Sequence, residues 1–152
     1  MNPQPQTQPE ISRETIAQDL RELVKHKLDN TQLDAAVESV FAPATRFPAT
    51  GSIASLVLYV KFQIQIKEPT LKTFNGNAFG AAIPGGGALV GSVFTPNLTK
   101  LLRDTSNFIW DALPAYTGVY FFNSQGGLLG HAQFGAISTV GIGGGGGDGG
   151  WS

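Results

Sequence analysis

The sequence predicts a mainly β fold, a closed barrel or a sandwich of about eight strands, preceded by an N-terminal helical hairpin. Three observations support this. Before residue 41 the apolar residues recur at spacings of three and four, which is typical of helices, and from Ser52 they alternate at a spacing of two, which is typical of strands. All 20 glycines lie at or after Gly51. Residues 1–41 carry seven acidic and four basic side chains, whereas residues 42–152 carry four acidic and six basic ones.

Composition excludes several classes of protein. The chain has 152 residues, a formal net charge of −1 and no cysteine. A near-neutral chain has no overall field that would attract nucleic acid, and without cysteine there is no disulfide, thiolate metal site or cysteine nucleophile. The longest apolar run, Leu56 to Val60, is too short to cross a bilayer. We therefore expect no nucleic-acid partner and no transmembrane segment.

We expect residues 1–9 to be disordered, residues 10–41 to form the helical extension and residues 42–50 to be a linker. Ser12 is placed to cap the first helix, and Asp29-Asn30-Thr31 breaks it and caps the second. Each helix has one apolar stripe, formed by Ile16, Leu20, Leu23, Val24 and Leu28 in the first and by Leu33, Ala36, Val37, Val40 and Phe41 in the second. Short helices need tertiary contacts, so the stripes pack on the neighbouring domain, associate with another copy through helices 12–41, or dock to a partner. The acidic surroundings disfavour a membrane surface.

The β domain is assigned to residues 51–142. The alternation from Ser52 to Lys67 predicts one long strand. Further short strands are predicted at Leu71–Phe74, Asn77–Ile83, Ala88–Phe94, Ser106–Leu113, Tyr116–Asn123, Leu128–Phe134 and Ala136–Ile142. A short helix from Thr95 to Arg103, with Thr95 as its N-cap, interrupts them. The Gly-rich tail, residues 143–152, is predicted to form no regular element, with Trp151 as its anchor.

No motif in the sequence carries a recognisable catalytic or metal-binding pattern. The loop from Gly85 to Ser92 has the glycine spacing of a phosphate-binding loop, but Ser92 stands where that motif requires lysine, so we interpret it as a turn. His26 lies beside two lysines and is expected to be solvated. His131, on a strand, is interpreted as a hydrogen-bonded structural residue.

The carboxylates of the β domain also give no strong candidate for a catalytic site. Asp104 and Asp111 form only a weak candidate for paired acid–base carboxylates, and Asp104 is expected to accept hydrogen bonds from Thr105 and Ser106 in the turn after the helix. We predict no catalytic, cofactor-binding or metal-binding residues, no cofactor and no enzymatic activity. A hydrolase would require His131 and a carboxylate to converge in a cleft.

Several segments in consistent order resemble the virulence-associated (Vap) proteins of a pathogenic actinobacterium. The resemblance covers about Ser52 to Trp151. It is carried by Gly87-Ala-Leu-Val-Gly-Ser-Val-Phe-Thr-Pro-Asn-Leu98, Leu102-Arg-Asp-Thr105 with Phe108, Tyr120-Phe-Phe-Asn123 with Gly127, Leu129-Gly-His-Ala-Gln-Phe-Gly135, Val140-Gly-Ile-Gly-Gly144 and Trp151. It implies a compact eight-stranded antiparallel Greek-key β-barrel with one short helix, and a role in survival inside macrophages without established enzymatic activity.

The function predicted from these observations is that of a non-enzymatic virulence or host-interaction factor, which binds an unidentified host protein or lipid through its surface. The alternative is a β-barrel that binds a small apolar ligand. The N-terminus shows neither a basic region nor an apolar region of a secretory signal. We therefore expect the protein to be cytoplasmic or exported by a non-classical route, with delivery to a host cell in the second case.

Overall fold

Eleven elements make up the fold in the computed structural model, which describes residues 11–26, 28–56, 58–81, 85–113, 116–135 and 143–152. The helices are α1 (Arg13–Val24), α2 (Asn30–Phe41) and α3 (Leu98–Asp104). The strands are β1 (Thr45–Ser55), β2 (Tyr59–Ile66), β3 (Thr73–Ala81), β4 (Gly85–Thr95), β5 (Asn107–Ala112), β6 (Tyr116–Phe122), β7 (Leu128–Gly135) and β8 (Gly143–Trp151). None of the helices described is long and apolar enough to cross a membrane.

The strands form one closed antiparallel barrel in the order β1-β2-β3-β8-β5-β6-β7-β4. Strand β4 returns to pair with β1, and β8 returns to pair with β5. The barrel thus consists of two units, each with the spatial order fourth, first, second, third strand. The eight-stranded closed barrel predicted from the sequence is confirmed.

The barrel interior is filled by side chains. Every second residue of β2 points inward, from Val60 to Ile66, and is fully buried. Aromatic rings pack at the centre, with ring centroids 5.3 Å apart for Phe62 and Trp110 and 5.0 Å apart for Phe74 and Phe121. An eight-stranded barrel is just wide enough for its own side chains, and this one is packed in that way.

The helical hairpin lies on the outside of the barrel. Ser12 accepts a hydrogen bond from the Thr15 amide, and Asp29 forms a capping box with Gln32, so both predicted N-caps are confirmed. The two apolar stripes form a second core with Ile109 of β5 and Tyr120 of β6. This cluster is separate from the one inside the barrel. Of the arrangements expected for the apolar stripes, the structure shows packing on the neighbouring β domain.

The predicted long strand from Ser52 to Lys67 is wrong, because the chain turns between β1 and β2. The alternation continues through Leu56 and Leu58, and no glycine or proline marks the turn. Strand β1 also begins at Thr45, inside the segment predicted as a linker. Likewise β3 runs through the predicted break at Asn75-Gly76. Glycine suits this position because a Cβ on Gly76 would lie 2.6 Å from the rings of both Phe74 and Phe108.

The glycine loop and the third helix also differ from expectation. Gly85, Gly86 and Gly87 belong to β4 and pair with β1 rather than forming a turn. Helix α3 begins at Leu98 with Asn97 as its N-cap. Thr95 ends β4, where its hydroxyl donates to the Leu129 carbonyl at 2.7 Å. The helix is capped instead by Asn97, whose side-chain oxygen accepts from the Lys100 amide at 3.0 Å.

The predicted irregular tail is wrong, because residues Gly143–Trp151 form strand β8 between β3 and β5. Its backbone makes the hydrogen bonds of a strand on both sides. Glycine suits this position where a side chain would collide: a Cβ on Gly149 would lie 2.6 Å from the Asn75 carbonyl oxygen. The predicted disorder of residues 1–9 and the predicted strand Ala136–Ile142 lie outside the described residues.

Candidate functional site

A polar cluster lies between α1 and the outer face of the barrel. Its members come from four elements and are Asp19 of α1, Asp111 of β5, Tyr116 and Tyr120 of β6, and His131 and Gln133 of β7. Strand alternation explains their position: Trp110 and Ala112 point into the barrel, so Asp111 between them points outward. The same alternation places Tyr120 outward between the inward residues Val119 and Phe121.

Asp19 receives hydrogen bonds from both tyrosines. The hydroxyl of Tyr116 donates to Asp19 Oδ2 at 3.0 Å, and that of Tyr120 donates to the same oxygen at 3.2 Å. Burial raises the pKa of both tyrosines far above the usual range, and the Asp19 charge adds to the effect. Both phenols therefore remain protonated donors at neutral pH, and they hold α1 against β6.

Asp111 meets Asp19 across this interface. Asp111 is 5% exposed, and its burial, followed by its hydrogen bond to Asp19 and the charge of that residue, raises the pKa of Asp111 to about 9. Two adjacent carboxyl groups in a buried place cannot both ionise cheaply. The pair therefore holds one proton at neutral pH.

Gln133 and Asp111 face the same small space. Both Asp111 Oδ1 and Gln133 Oε1 are buried without a hydrogen-bond partner among the described residues. A Cβ on Gly118 would lie 3.2 Å from the first oxygen and 3.3 Å from the second. Because Gly118 has no side chain, a small polar space remains between the two oxygens and Gly118, beneath the hairpin.

His131 is buried at the edge of the cluster. Its ring stacks on Phe94 with centroids 5.1 Å apart, and its Nδ1 lies 3.2 Å from Gln133 Nε2. Burial, with a smaller contribution from the charge of Arg13, lowers the pKa of His131 to about 4. The ring is consequently neutral at physiological pH, and it is hydrogen-bonded as predicted.

The cluster brings His131 and Asp111 into one buried layer but not into a cleft. The arrangement can hold a proton, since burial and the neighbouring Asp19 favour the protonated form of Asp111. Of the described residues, no three His, Asp or Glu side chains converge as metal ligands do.

The other predicted candidates lie apart from this cluster. Asp104 accepts hydrogen bonds from Arg103 at 2.8 and 3.0 Å, so its predicted partners Thr105 and Ser106 are wrong. Asp111 is paired with Asp19 and not with Asp104. His26 is exposed, as expected.

Sequence reasoning missed Asp19. One signal could have indicated it: Asp19 follows Ile16 by three positions and precedes Leu20 by one, so it borders the apolar stripe of α1. A carboxylate that becomes buried beside a packed stripe needs a hydrogen-bond partner.

A second feature, which we call the apolar tip, consists of Leu56, Leu58, Tyr59 and Phe79. Leu56, Leu58 and Phe79 are 74%, 65% and 76% exposed. Tyr59 pairs with Phe79 across β2 and β3, and their rings meet edge to face with centroids 5.9 Å apart. Strand β2 lies four strands from β6 in either direction around the barrel, so the tip is on the side opposite the hairpin.

Cavities give little support to ligand binding within the barrel. The inward-pointing side chains of β2 and β3 are fully buried, and the rings of Phe62 and Phe74 pack against Phe108. A cavity of about 450 Å³ lies outside the barrel, between Leu28 of the hairpin, Asn107 of β5 and Asp148 of β8.

Comparison with known proteins identifies a family model and two solved structures to which the chain is similar. The model of the Rhodococcus equi virulence-associated protein family matches residues 4–152. The solved structure of virulence-associated protein VapB from the intracellular pathogen Rhodococcus equi is 39% identical, with a TM-score of 0.67, over 72% of this chain and 98% of that one. The structure of VapD from the same organism is 35% identical, with a TM-score of 0.69, over 73% of this chain and all of that one. No curated protein sequence matches the chain.

Proposed function

This chain belongs to the Rhodococcus equi virulence-associated protein family, and from that membership we propose that it is a non-enzymatic virulence factor that binds a host protein or lipid through its outer surface. Such a role requires delivery of the protein to the host cell. The observation that carries the proposal is the apolar tip, where large apolar side chains are exposed together.

The tip has the properties of a binding surface. Three of its side chains are more than half exposed, although exposing adjacent large apolar groups to water is unfavourable. Exposed apolar clusters on soluble domains mark sites of interaction. The next outward residue of β2 is Lys61, so a partner at this surface meets apolar side chains next to a positive charge.

The alternative, a barrel that binds a small apolar ligand, has less support. A ligand site of that kind is a concave cavity of several hundred Å³ lined by apolar side chains. In this barrel Phe62, Phe74 and Trp110 occupy the centre and are fully buried. The outer surface is therefore the better candidate for binding.

The test compares two matched leucine variants in binding to membranes prepared from host cells. Leu58→Ser removes an apolar side chain from the tip. Leu71→Ser is the control, since Leu71 is 73% exposed and lies in the β2–β3 turn at the other end of the barrel. We expect the wild-type chain and the control to bind, and Leu58→Ser to bind at least tenfold more weakly.

Two further measurements distinguish the partners. Loss of binding after protease treatment of the membranes identifies a host protein. Binding that persists, together with sedimentation with phosphatidylcholine vesicles with or without phosphatidylserine, identifies a lipid. The proposal is overturned if the wild-type chain binds neither membranes nor vesicles, or if both leucine variants bind equally.

A further inference from the structure

We propose that docking of the α1–α2 hairpin on the barrel is proton-linked: one proton held between Asp19 and Asp111 keeps the hairpin closed, and its loss as the pH rises releases the outer face of β5, β6 and β7. The inference is independent of the proposed function, because it concerns the opposite side of the barrel from the apolar tip.

The first support is the position of the pair. Asp19 belongs to the hairpin and Asp111 to the barrel, so the contact between them exists only when the hairpin is docked. Asp111 points outward from β5, and α1 covers it. When the hairpin leaves, the carboxyl group becomes exposed to water and returns to ordinary acidity, so opening above neutral pH releases one proton.

The second support is that the hairpin can leave without unfolding the barrel. The core inside the barrel contains no residue of α1 or α2, and the hairpin residues pack in a separate cluster. The solved relatives are matched over 98% and 100% of their length by about three quarters of this chain. Elements that pack on a core without contributing to it open at lower cost than the whole protein.

Among the described residues, the charged and titratable groups that face Asp111 at this interface come from α1, β6 and β7. On α1 they are Asp19 and Arg13, whose guanidinium donates to the Phe41 carbonyl at 3.0 Å. On β6 they are Tyr116 and Tyr120, which stay neutral, and on β7 it is His131. Helix α2 contributes Leu33, Ala36 and Val40 as its buried residues.

His131 limits the pH range of the effect. Its pKa is about 4 in the closed protein and returns toward 6.5 when the ring becomes exposed. Between these values, opening adds a proton to His131 while it removes one from Asp111, so no net proton is exchanged. The hairpin should therefore open with rising pH only above about 6.5.

The experiment uses single cysteines in the full chain, which has none of its own. Ala36→Cys places a thiol on α2 at a position that is 2% exposed, where a thiol reagent reaches it only when the hairpin opens. Ala35→Cys, next to it on the exposed side of α2, corrects for the effect of pH on thiol reactivity. Ala78→Cys, inside the barrel, reports unfolding of the whole chain.

We expect the ratio of labelling rates for Ala36→Cys over Ala35→Cys to increase up to tenfold per pH unit between pH 6.5 and 9, as the release of one proton requires. The labelling rate of Ala78→Cys, divided by the same reference rate, should not increase with pH. Adding Asp111→Asn should make the ratio independent of pH over this range, whereas Asp34→Asn, on the exposed face of α2, should leave the dependence unchanged.

Three results would overturn the inference: a ratio that does not vary with pH in the wild-type background, the same pH dependence in Asp111→Asn, or a parallel increase at Ala78→Cys. Tryptophan fluorescence of Trp110 and Trp151 shows whether each variant folds. If Asp111→Asn does not fold, Asp111→Ser removes the same titratable group and provides the same comparison.

Discussion

Tyr120 and Asp19 lie 101 positions apart in the sequence, and the Tyr120 hydroxyl donates to Asp19 Oδ2 at 3.2 Å across the interface between barrel and hairpin. Tyr116 donates to the same oxygen from the start of β6. Hydrogen bonds to a charged acceptor are stronger than those between neutral groups. One carboxylate with two phenol donors therefore fixes where α1 lies on the barrel.

Tyr120→Phe should lower the free energy of unfolding by about 1–3 kcal/mol, because it removes one donor from Asp19 and leaves the packing of the ring in place. Tyr59→Phe is the matched control. Its hydroxyl also bonds to a side chain, Asn77 at 2.6 Å, but at an exposed position, so its loss should cost less than about 0.5 kcal/mol. Urea unfolding followed by circular dichroism gives both values, and equal losses would contradict the assigned role of Tyr120.

The free energy of unfolding should depend on pH because of two buried groups, His131 and Asp111. The pKa of His131 is about 4 in the folded protein, below its ordinary 6.5, so its contribution is complete above pH 6.5 and is lost as the pH falls toward 4. The pKa of Asp111 is about 9, above its ordinary 3.8, so its contribution is complete below pH 3.8 and is lost as the pH rises through 9. The two effects oppose each other between pH 4 and 6.5.

For these two groups, the free energy of unfolding should be nearly constant from pH 4.5 to 6.5 and then fall by up to about 1.4 kcal/mol per pH unit toward pH 9. Asp111→Asn should remove the fall above pH 6.5 and expose the His131 effect as a loss of stability on acidification. Urea unfolding at pH 4.5, 6.5 and 8.5, followed by tryptophan fluorescence, measures both. Greater stability of the wild-type chain at pH 8.5 than at pH 6.5 would contradict the assignment.

Gly149→Ala should destabilise the barrel by at least about 2 kcal/mol, because the new Cβ would lie 2.6 Å from both the Asn75 carbonyl oxygen and the Phe74 ring. Gly150→Ala is the control, since the nearest atom to its Cβ is the Thr105 carbonyl oxygen at 3.8 Å. It should change stability by less than about 0.5 kcal/mol. Thermal unfolding measures the stability of both variants. Equal losses of stability would contradict the position of β8 between β3 and β5.

A chain that begins at Pro43 should fold as a barrel but associate with itself. Removing the hairpin leaves the interior core intact, and it uncovers Ile109, Tyr120 and Phe122, which are at most 6% exposed in the full chain. Light scattering should find a monomeric full chain and a larger shortened one. The reverse result, with an oligomeric full chain and a monomeric barrel, would instead assign self-association to helices 12–41.

The sequence is informative where side chains alternate or recur, and uninformative where they are missing. The stripes of α1 and α2, with caps at Ser12 and Asp29, define the hairpin. Strand β8 is nearly all glycine, so it has no pattern of apolar and polar side chains to detect. Only its pairing with β3 and β5 makes it a strand.

The candidate site was harder to predict than the fold. His131 and Asp111 could be chosen from the sequence as titratable residues on strands, but their environment depends on α1, which lies 87 or more residues earlier in the chain. Nothing in the local sequence pairs Asp111 with Asp19, since the contact arises from packing of the hairpin on the barrel. The pairing of Asp111 with Asp104 was suggested only by their closeness in the chain.

The position of β8 has a consequence for how the protein folds. Strands β3 and β5 are neighbours of β8 on its two sides, so each has an open edge until the last strand is inserted between them. Exposed strand edges pair readily with other chains, and contacts between residues far apart in sequence form slowly. The interval before β8 is inserted should therefore be the step of folding most vulnerable to aggregation.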